Sequence, residues 1–171
     1  RWGIPPGLLI LELTENAIID ADLAKVLDLL HAMGERLSID DFGTGHSSLS
    51  YLQQLTIDEI KIDRSFVTNL PSVEGDAVIV RSIIELAHNL GLTVVAEGVE
   101  DEVALEILVA DGCDSAQGYY FTRPCPADEL TTWLIESPFG VEVGSQLMER
   151  AADYDFDEDP RIPRQTGHPA R

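Results

Sequence analysis

Met33-Gly34-Glu35-Arg36-Leu37-Ser38-Ile39-Asp40-Asp41-Phe42-Gly43-Thr44-Gly45 holds the unit on which this chain is built. A helical stretch stops at the first glycine, a short apolar run follows, and two carboxylates stand at its end before a glycine-bracketed turn. Glycine after a helix supplies the positive φ that helix C-termini favour. Adjacent acids where a strand opens into a flexible loop suit hard divalent cations, which prefer oxygen ligands. Read alone, such a pair is more often a solvated acidic turn.

Recurrence changes that reading. A second helical stretch ends at Leu90-Gly91, and Leu92 to Ala96 leads into Glu97. A third ends at Asp111-Gly112, and Cys113 to Ala116 leads into Gln117. Helix, glycine, strand and polar tip, repeated, describe a parallel α/β architecture. In such folds chemistry gathers at the C-terminal ends of the strands.

The 171 residues are 44% hydrophobic, enough for one sizeable core. Cys113 and Cys125 have neither zinc-ligand spacing nor a disulfide framework, and such usage fits a reducing, cytoplasmic location. Cys113 reads as a small buried residue opening a strand. No apolar run approaches membrane-spanning length, and nothing resembles a signal peptide. A formal charge of −20 argues against a nucleic-acid duplex as partner, because phosphate backbones need basic surfaces. It permits a small phosphate ligand reached through bound metal ions, which invert the local charge. The opening residue is Arg1 and Trp2 to Gly7 reads as a loop, so the chain is expected to be a fragment or a processed product.

Five strands are expected, near residues 8–13, 36–41, 59–63, 92–97 and 114–120. The first, Leu8 to Leu13, reads as buried. Glu59-Ile60-Lys61-Ile62-Asp63 alternates polar and apolar residues, a strand signal. Helices are expected from a cap at Asp20 to about Leu30, over Ser47–Leu55, Val78–Leu90 and Val103–Val109, and over Ala127–Ile135 after Pro126. Their core faces read as Leu23, Val26, Leu27 and Leu30 in the first, Leu49, Leu52 and Leu55 in the second, and Ile79, Ile83, Leu86 and Leu90 in the third. Residues 1–136 form one domain in this reading. From Ser137 the pattern fails, and the acid-rich, proline-bearing stretch 137–171 is expected to be a disordered tail.

Glu12, Asp40, Asp41, Lys61, Glu97 and Gln117 stand at or near strand ends. Side by side in one barrel wall, the four carboxylates would repel one another unless cations sat between them. Two divalent ions, Mg²⁺ or Mn²⁺, would resolve that, and paired ions are a common device for phosphodiester hydrolysis. Lys61 could hold the attacking water or offset charge on phosphoryl oxygens.

Glu12-Leu13-Thr14-Glu15, Asp40-Asp41-Phe42-Gly43-Thr44-Gly45, Lys61-Ile62-Asp63-Arg64-Ser65-Phe66-Val67, Ala96-Glu97-Gly98-Val99-Glu100 and Gln117-Gly118-Tyr119 together resemble the EAL domain family of cyclic di-GMP phosphodiesterases, in the same order. The likeness covers about residues 1–136 and implies part of a (β/α)₈ TIM-type barrel, about strands four to eight. It implies metal ligands at Glu12, Asp40, Asp41 and Glu97, and catalytic roles for Lys61 and Glu97. Gln117, Asp63 and Glu100 match positions that support site or substrate, and Glu15 matches the glutamate that steadies the loop after Asp41. That loop is also implied in homodimerisation. The Glu-Ala-Leu strand that names the family, and an asparagine-bearing strand, would both lie upstream of Arg1. His46 stands where an aromatic residue is frequent, and a ligand role for it is disfavoured. Asp41-Phe42-Gly43 also matches the kinase magnesium tripeptide, but the glycine-rich loop, lysine strand and His-Arg-Asp loop of kinases do not occur.

The leading expectation is metal-dependent hydrolysis of cyclic di-GMP to linear pGpG by the intact protein. The alternatives are a degenerate receptor that binds without cleaving, and an inactive truncated product. The composition also predicts that the acidic tail is dispensable. Trimming after Ser137 should leave the melting temperature of the intact protein unchanged within error, and a fall of several degrees would show that the tail docks.

Overall fold

The computed structural model describes residues 5–15, 17, 21–45 and 52–139. Five parallel strands form one sheet: β1 (Ile10–Thr14), β2 (Arg36–Phe42), β3 (Glu59–Ile62), β4 (Thr93–Glu97) and β5 (Ser115–Gln117). Neighbours in the sheet are neighbours in sequence throughout. That is the order of a barrel wall; in a doubly wound sheet the order reverses partway. The connections carry α1 (Ala21–Ala32), a short α2 (Arg64–Val67), α3 (Glu74–Asn89) and α4 (Glu102–Ala110). These elements belong to one compact unit, Pro5–Arg123. A second unit, from Pro124 onward, contributes α5 (Ala127–Glu136), which Pro126 precedes at the N-cap. The expected Asp20 cap, most of the Ser47–Leu55 helix with Leu49, His46 and the stretch from residue 140 lie outside the described residues.

Alternation along the strands sorts the side chains onto two faces. Leu37, Ile39, Ile60, Ile62, Val94 and Ala96 share one face and are fully buried. Leu27 of α1, Val80, Ile84 and Ala87 of α3 and Leu108 of α4 join them in the core. Burying each large aliphatic side chain there contributes about 1.5–3 kcal/mol. The opposite face is polar: Arg36, Ser38 and Asp40 on β2, Glu59 and Lys61 on β3, Glu97 on β4, Ser115 and Gln117 on β5. Register places Glu12 beside Ser38, Ser38 beside Glu59, and Glu97 beside Gln117.

Glycines 34, 91 and 112 end their helical units at φ of +92°, +76° and +79°, as the repeat requires. Gly118 answers a different demand. Val99 N–H donates to the Gln117 carbonyl, and Tyr120 N–H donates to the Val99 carbonyl. A Cβ on Gly118 would lie 2.1 Å from that carbonyl oxygen. This pairing turns the chain away after Gln117, so β5 is shorter than the expected 114–120, and Cys113 is half-buried ahead of it.

Three packing expectations need correction. Each of the two helices has one misassigned residue: Val26 and Ile79 are exposed, whereas Leu27 and Ile83 are buried, Leu23, Leu30, Leu86 and Leu90 pack against the core, and Val80, Ile84 and Ala87 join them there. Both helices are apolar on more than one side, so periodicity alone did not fix where the buried face ends. The third concerns β1, which is an edge strand among the described residues, with Leu8, Leu9, Ile10 and Leu11 exposed. An apolar, unpaired edge is a template for association. The 171-residue chain expressed alone should therefore self-associate. Leu9→Lys with Leu11→Lys should shift its elution in size-exclusion chromatography toward the monomer, and a wild-type chain that elutes as a monomer would contradict this.

Candidate functional site

Lys61 is buried in the sheet at 7% exposure because its neighbours Ile60 and Ile62 face the helices and turn it to the polar side. Its ammonium Nζ lies 2.9 Å from Glu12 Oε1, 3.2 Å from Asp40 Oδ1 and 2.5 Å from Glu97 Oε1. Those acids come from β1, β2 and β4, so one lysine gathers charges from three other strands. Burial disfavours the charged amine, but its close contacts with the Glu97, Glu12 and Asp40 carboxylates outweigh it and hold Lys61 above the usual lysine range. Gln117 Nε2 donates at 2.8 Å to the same Glu97 oxygen and orients it from β5.

Asp41 stands apart from this cluster. Among the described residues it is the one non-glycine with positive φ, +55°. That left-handed backbone costs an L-residue about 1–2 kcal/mol. Desolvation, the charges of Asp40 and Asp63 and a hydrogen bond shared with Asp63 raise its carboxyl above the ordinary range, with Lys61 opposing. For Asp63, burial is outweighed by hydrogen bonds from the Ser65 hydroxyl, the Ser65 and Arg64 N–H groups and Asp41, and the carboxyl sits low. Asp63 also caps α2.

The loop after Asp41 hangs on Glu15. This buried carboxylate accepts from the N–H groups of Gly43 at 3.1 Å and Gly45 at 2.9 Å. A Cβ on Gly45 would come 2.8 Å from the Glu15 carboxyl carbon, so the acid occupies the space a side chain would need. Glu100 is exposed beyond β4 and is not among the acids around Lys61.

Whether these groups suit a divalent cation can be judged from their chemistry. The donors are hard carboxylate oxygens, three of them against one ammonium. Asp40 Oδ1 is buried, and although Lys61 lies 3.2 Å away it receives no well-directed hydrogen bond, so an acceptor stands ready for a cation. Among the described residues no three acidic, histidine or cysteine groups close on one point. The ammonium of Lys61 stands between Glu12, Asp40 and Glu97. Donor type and charge therefore fit, with Lys61 sharing the same carboxylates.

Lys61 also bears on stability. Acids at a strand-end mouth alone would repel, and replacing any of the charged residues would cost the fold little. With a buried ammonium between them, Lys61→Ala would leave three carboxylates uncompensated and should destabilise the fold, by less than for a fully buried pair because the acids are themselves partly exposed to solvent. Arg36, Ser38 and Glu59 were not singled out in the sequence, yet they line the same face, with Arg36 Nη2 3.3 Å from Glu59 Oε2 and Ser38 fully buried. Counting back by two from Asp40 and from Lys61 finds all three.

Known proteins share this arrangement of motifs and strands. The EAL domain family matches residues 1–124. MucR of Pseudomonas aeruginosa, a bifunctional diguanylate cyclase/cyclic di-GMP phosphodiesterase, is 50% identical over 132 residues, covering 76% of this chain and 19% of MucR. The structure of the MucR phosphodiesterase in complex with cyclic di-GMP matches with TM-score 0.71 and 50% identity over 74% of this chain and 52% of that one. Klebsiella pneumoniae BlrP1, solved with manganese and cyclic di-GMP, matches with TM-score 0.67 and 38% identity over 72% of this chain and 32% of that one. The chain spans about a fifth of the length of the curated relatives it matches. The five parallel strands correspond to part of the TIM-type barrel of these structures. With motifs, sheet and neighbours in agreement, the chain belongs to the EAL domain family.

Proposed function

We propose that the protein carrying this chain hydrolyses cyclic di-GMP to linear pGpG with two divalent cations, Mg²⁺ or Mn²⁺. The observation that carries the reading is the buried Lys61 ammonium ringed by Glu12, Asp40 and Glu97 at neighbouring strand ends. Relatives solved with cyclic di-GMP and manganese support it. Glu12, Asp40, Asp41 and Glu97 would hold the cations, which supply Lewis-acid polarisation and a nucleophilic water at neutral pH.

This chain's own groups do the positioning. Lys61 places a fixed positive charge against the face where phosphoryl oxygens gain charge, and such preorganised donors are worth most where water is excluded. Gln117 fixes the rotamer of Glu97. Glu15 pins the Gly43–Gly45 turn and so sets the backbone from which Asp41 projects. Asp63 holds Asp41 from the other side, and Glu100 would act at the rim with substrate. By resemblance two further ligand positions lie on strands outside this segment, so the 171 residues on their own are proposed to be inactive. The loop after Asp41 is proposed as a homodimer contact and the cytoplasm as the location. Among the described residues no helix is long and apolar enough to cross a membrane.

In the intact protein, Asp40→Asn and Lys61→Met should each lower pGpG formation at least about a hundredfold while cyclic di-GMP still binds. Chelating the divalent ions should abolish turnover reversibly. Product formation at the parent rate in both variants would overturn the assignment. A wild-type protein that binds cyclic di-GMP without cleaving it would replace the enzyme with a receptor.

A further inference from the structure

The short helix α2 begins three residues after Lys61 and meets the chain just beyond both strands that flank β3. On the β2 side the contact falls at Gly43, two residues past Asp41. A Cβ built on Gly43 would lie 3.0 Å from Cε2 of Phe66 in α2 and 3.3 Å from Cδ1 of Ile83 in α3. Ile83 is a buried core residue, and Phe66 packs against the core. The Gly43 N–H donates to Glu15. Gly43 is therefore held twice, by a carboxylate at its N–H and by a ring and an isoleucine where a side chain would stand. On the β4 side the contact falls at Gly98, the residue after Glu97. A Cβ there would lie 2.5 Å from Cβ and 3.2 Å from Cα of Arg64, the first residue of α2. Thr68, at the C-cap of α2, donates its hydroxyl to the Gly98 carbonyl at 3.5 Å.

The geometry points to α2 as a strut that fixes the spacing between Asp41 and Glu97, with Phe66 as the positioning residue at its β2 end. This rests on the reading of those two acids as cation ligands. Ligating side chains must be held within about 0.5 Å of their working geometry by neighbours that are themselves packed in place. Strand pairing does not do this for Asp41. The register of β2 on β3 is irregular between Ile39 and Phe42, and the left-handed backbone of Asp41 needs neighbours to hold it. Glu97 is the last residue of β4, so its backbone is paired on one side of the chain's exit and free to turn on the other.

Phe66 suits that task. A ring lodged between a close-packed core and a loop has little room to yield. Glu15 restrains the turn through the direction of two N–H groups, and the ring sets how closely the turn can approach the core. Asp63, the N-cap of α2, lies three residues before Phe66 and shares a hydrogen bond with Asp41. One turn of chain thus reaches residue 41 through Asp63 and residue 43 through Phe66, on either side of Phe42. At the other end the contact of Arg64 with Gly98 passes any shift of the strut to the turn after Glu97.

Phe66→Leu in the intact protein tests this. Mn²⁺ binding, read from the paramagnetic resonance of the free ion without cyclic di-GMP, should weaken about ten- to a hundredfold, the range for groups that orient metal ligands. In the metal-free protein the Gly43 and Gly45 amides should lose protection from hydrogen exchange relative to Ile84 inside α3. Phe66→Met keeps apolar volume without the rigid ring. It should weaken Mn²⁺ binding by a smaller factor, and it carries the test if the leucine variant does not fold. Val80→Ala, which removes core volume from α3 at a fully buried site, should lower the melting temperature and leave Mn²⁺ affinity unchanged. Wild-type Mn²⁺ affinity in Phe66→Leu or, where that variant does not fold, in Phe66→Met would overturn the strut alone and leave the proposed function standing. So would an equal loss in Val80→Ala, since general loosening would then explain the effect. A wild-type protein that binds no Mn²⁺ would overturn the cation reading and the strut with it.

Discussion

A lysine ammonium buried within a sheet must be neutralised, and the architecture of this domain follows from how that is done. Lys61 sits among three carboxylates from three other strands. Such a cluster needs parallel strands in sequential order, so that the same end of each points the same way. It needs the period-two alternation that turns Ile60 and Ile62 into the core while Lys61 faces the acids. It also needs a fixed register, because a slip of one residue would bury the charges among aliphatic side chains. The apolar core thus gives the chemistry its precision as well as its stability.

Around that centre, supporting groups act on backbone as much as on charge. Glu15 spends its carboxylate on two N–H groups of the turn after Asp41. Asp63 caps a helix and restrains Asp41 at once. Asp41 keeps a backbone conformation that an unconstrained aspartate would rarely adopt, and strain of this kind persists only where neighbours over-determine it. The acidic pair at positions 40 and 41 therefore splits: Asp40 joins the lysine cluster, and Asp41 turns to Asp63.

Much of this was legible in the sequence. Helix, glycine and strand recurred with a polar tip, and the glycines at 34, 91 and 112 have the positive φ that the repeat demands. Glu12, Asp40, Lys61, Glu97 and Gln117 could be named from strand ends alone, and the structure brings them together. What could not be read depended on partners distant in sequence. Val26 and Ile79 are as apolar as the residues that pack, and only the sheet beneath decides which face turns inward. The edge position of β1 is a property of the sheet, and its leucines read as core. The lysine was visible as a site residue, but its burial between three acids required their geometry.

Gly118 shows how a demand of packing can pass for one of chemistry. The backbone of Val99 lies where its side chain would begin. The stretch around Gly98–Val99 and the stretch around Gly118–Tyr120 are thus joined main chain to main chain. Glu97 and Gln117, which share a hydrogen bond, sit on the two sides of that weld. In a library that randomised this corner, position 118 would tolerate nothing larger than hydrogen, while the exposed Tyr119 beside it would accept wide variation. Ranked by intolerance alone, the glycine would look like part of the catalytic apparatus, although its role is to let two pieces of backbone meet.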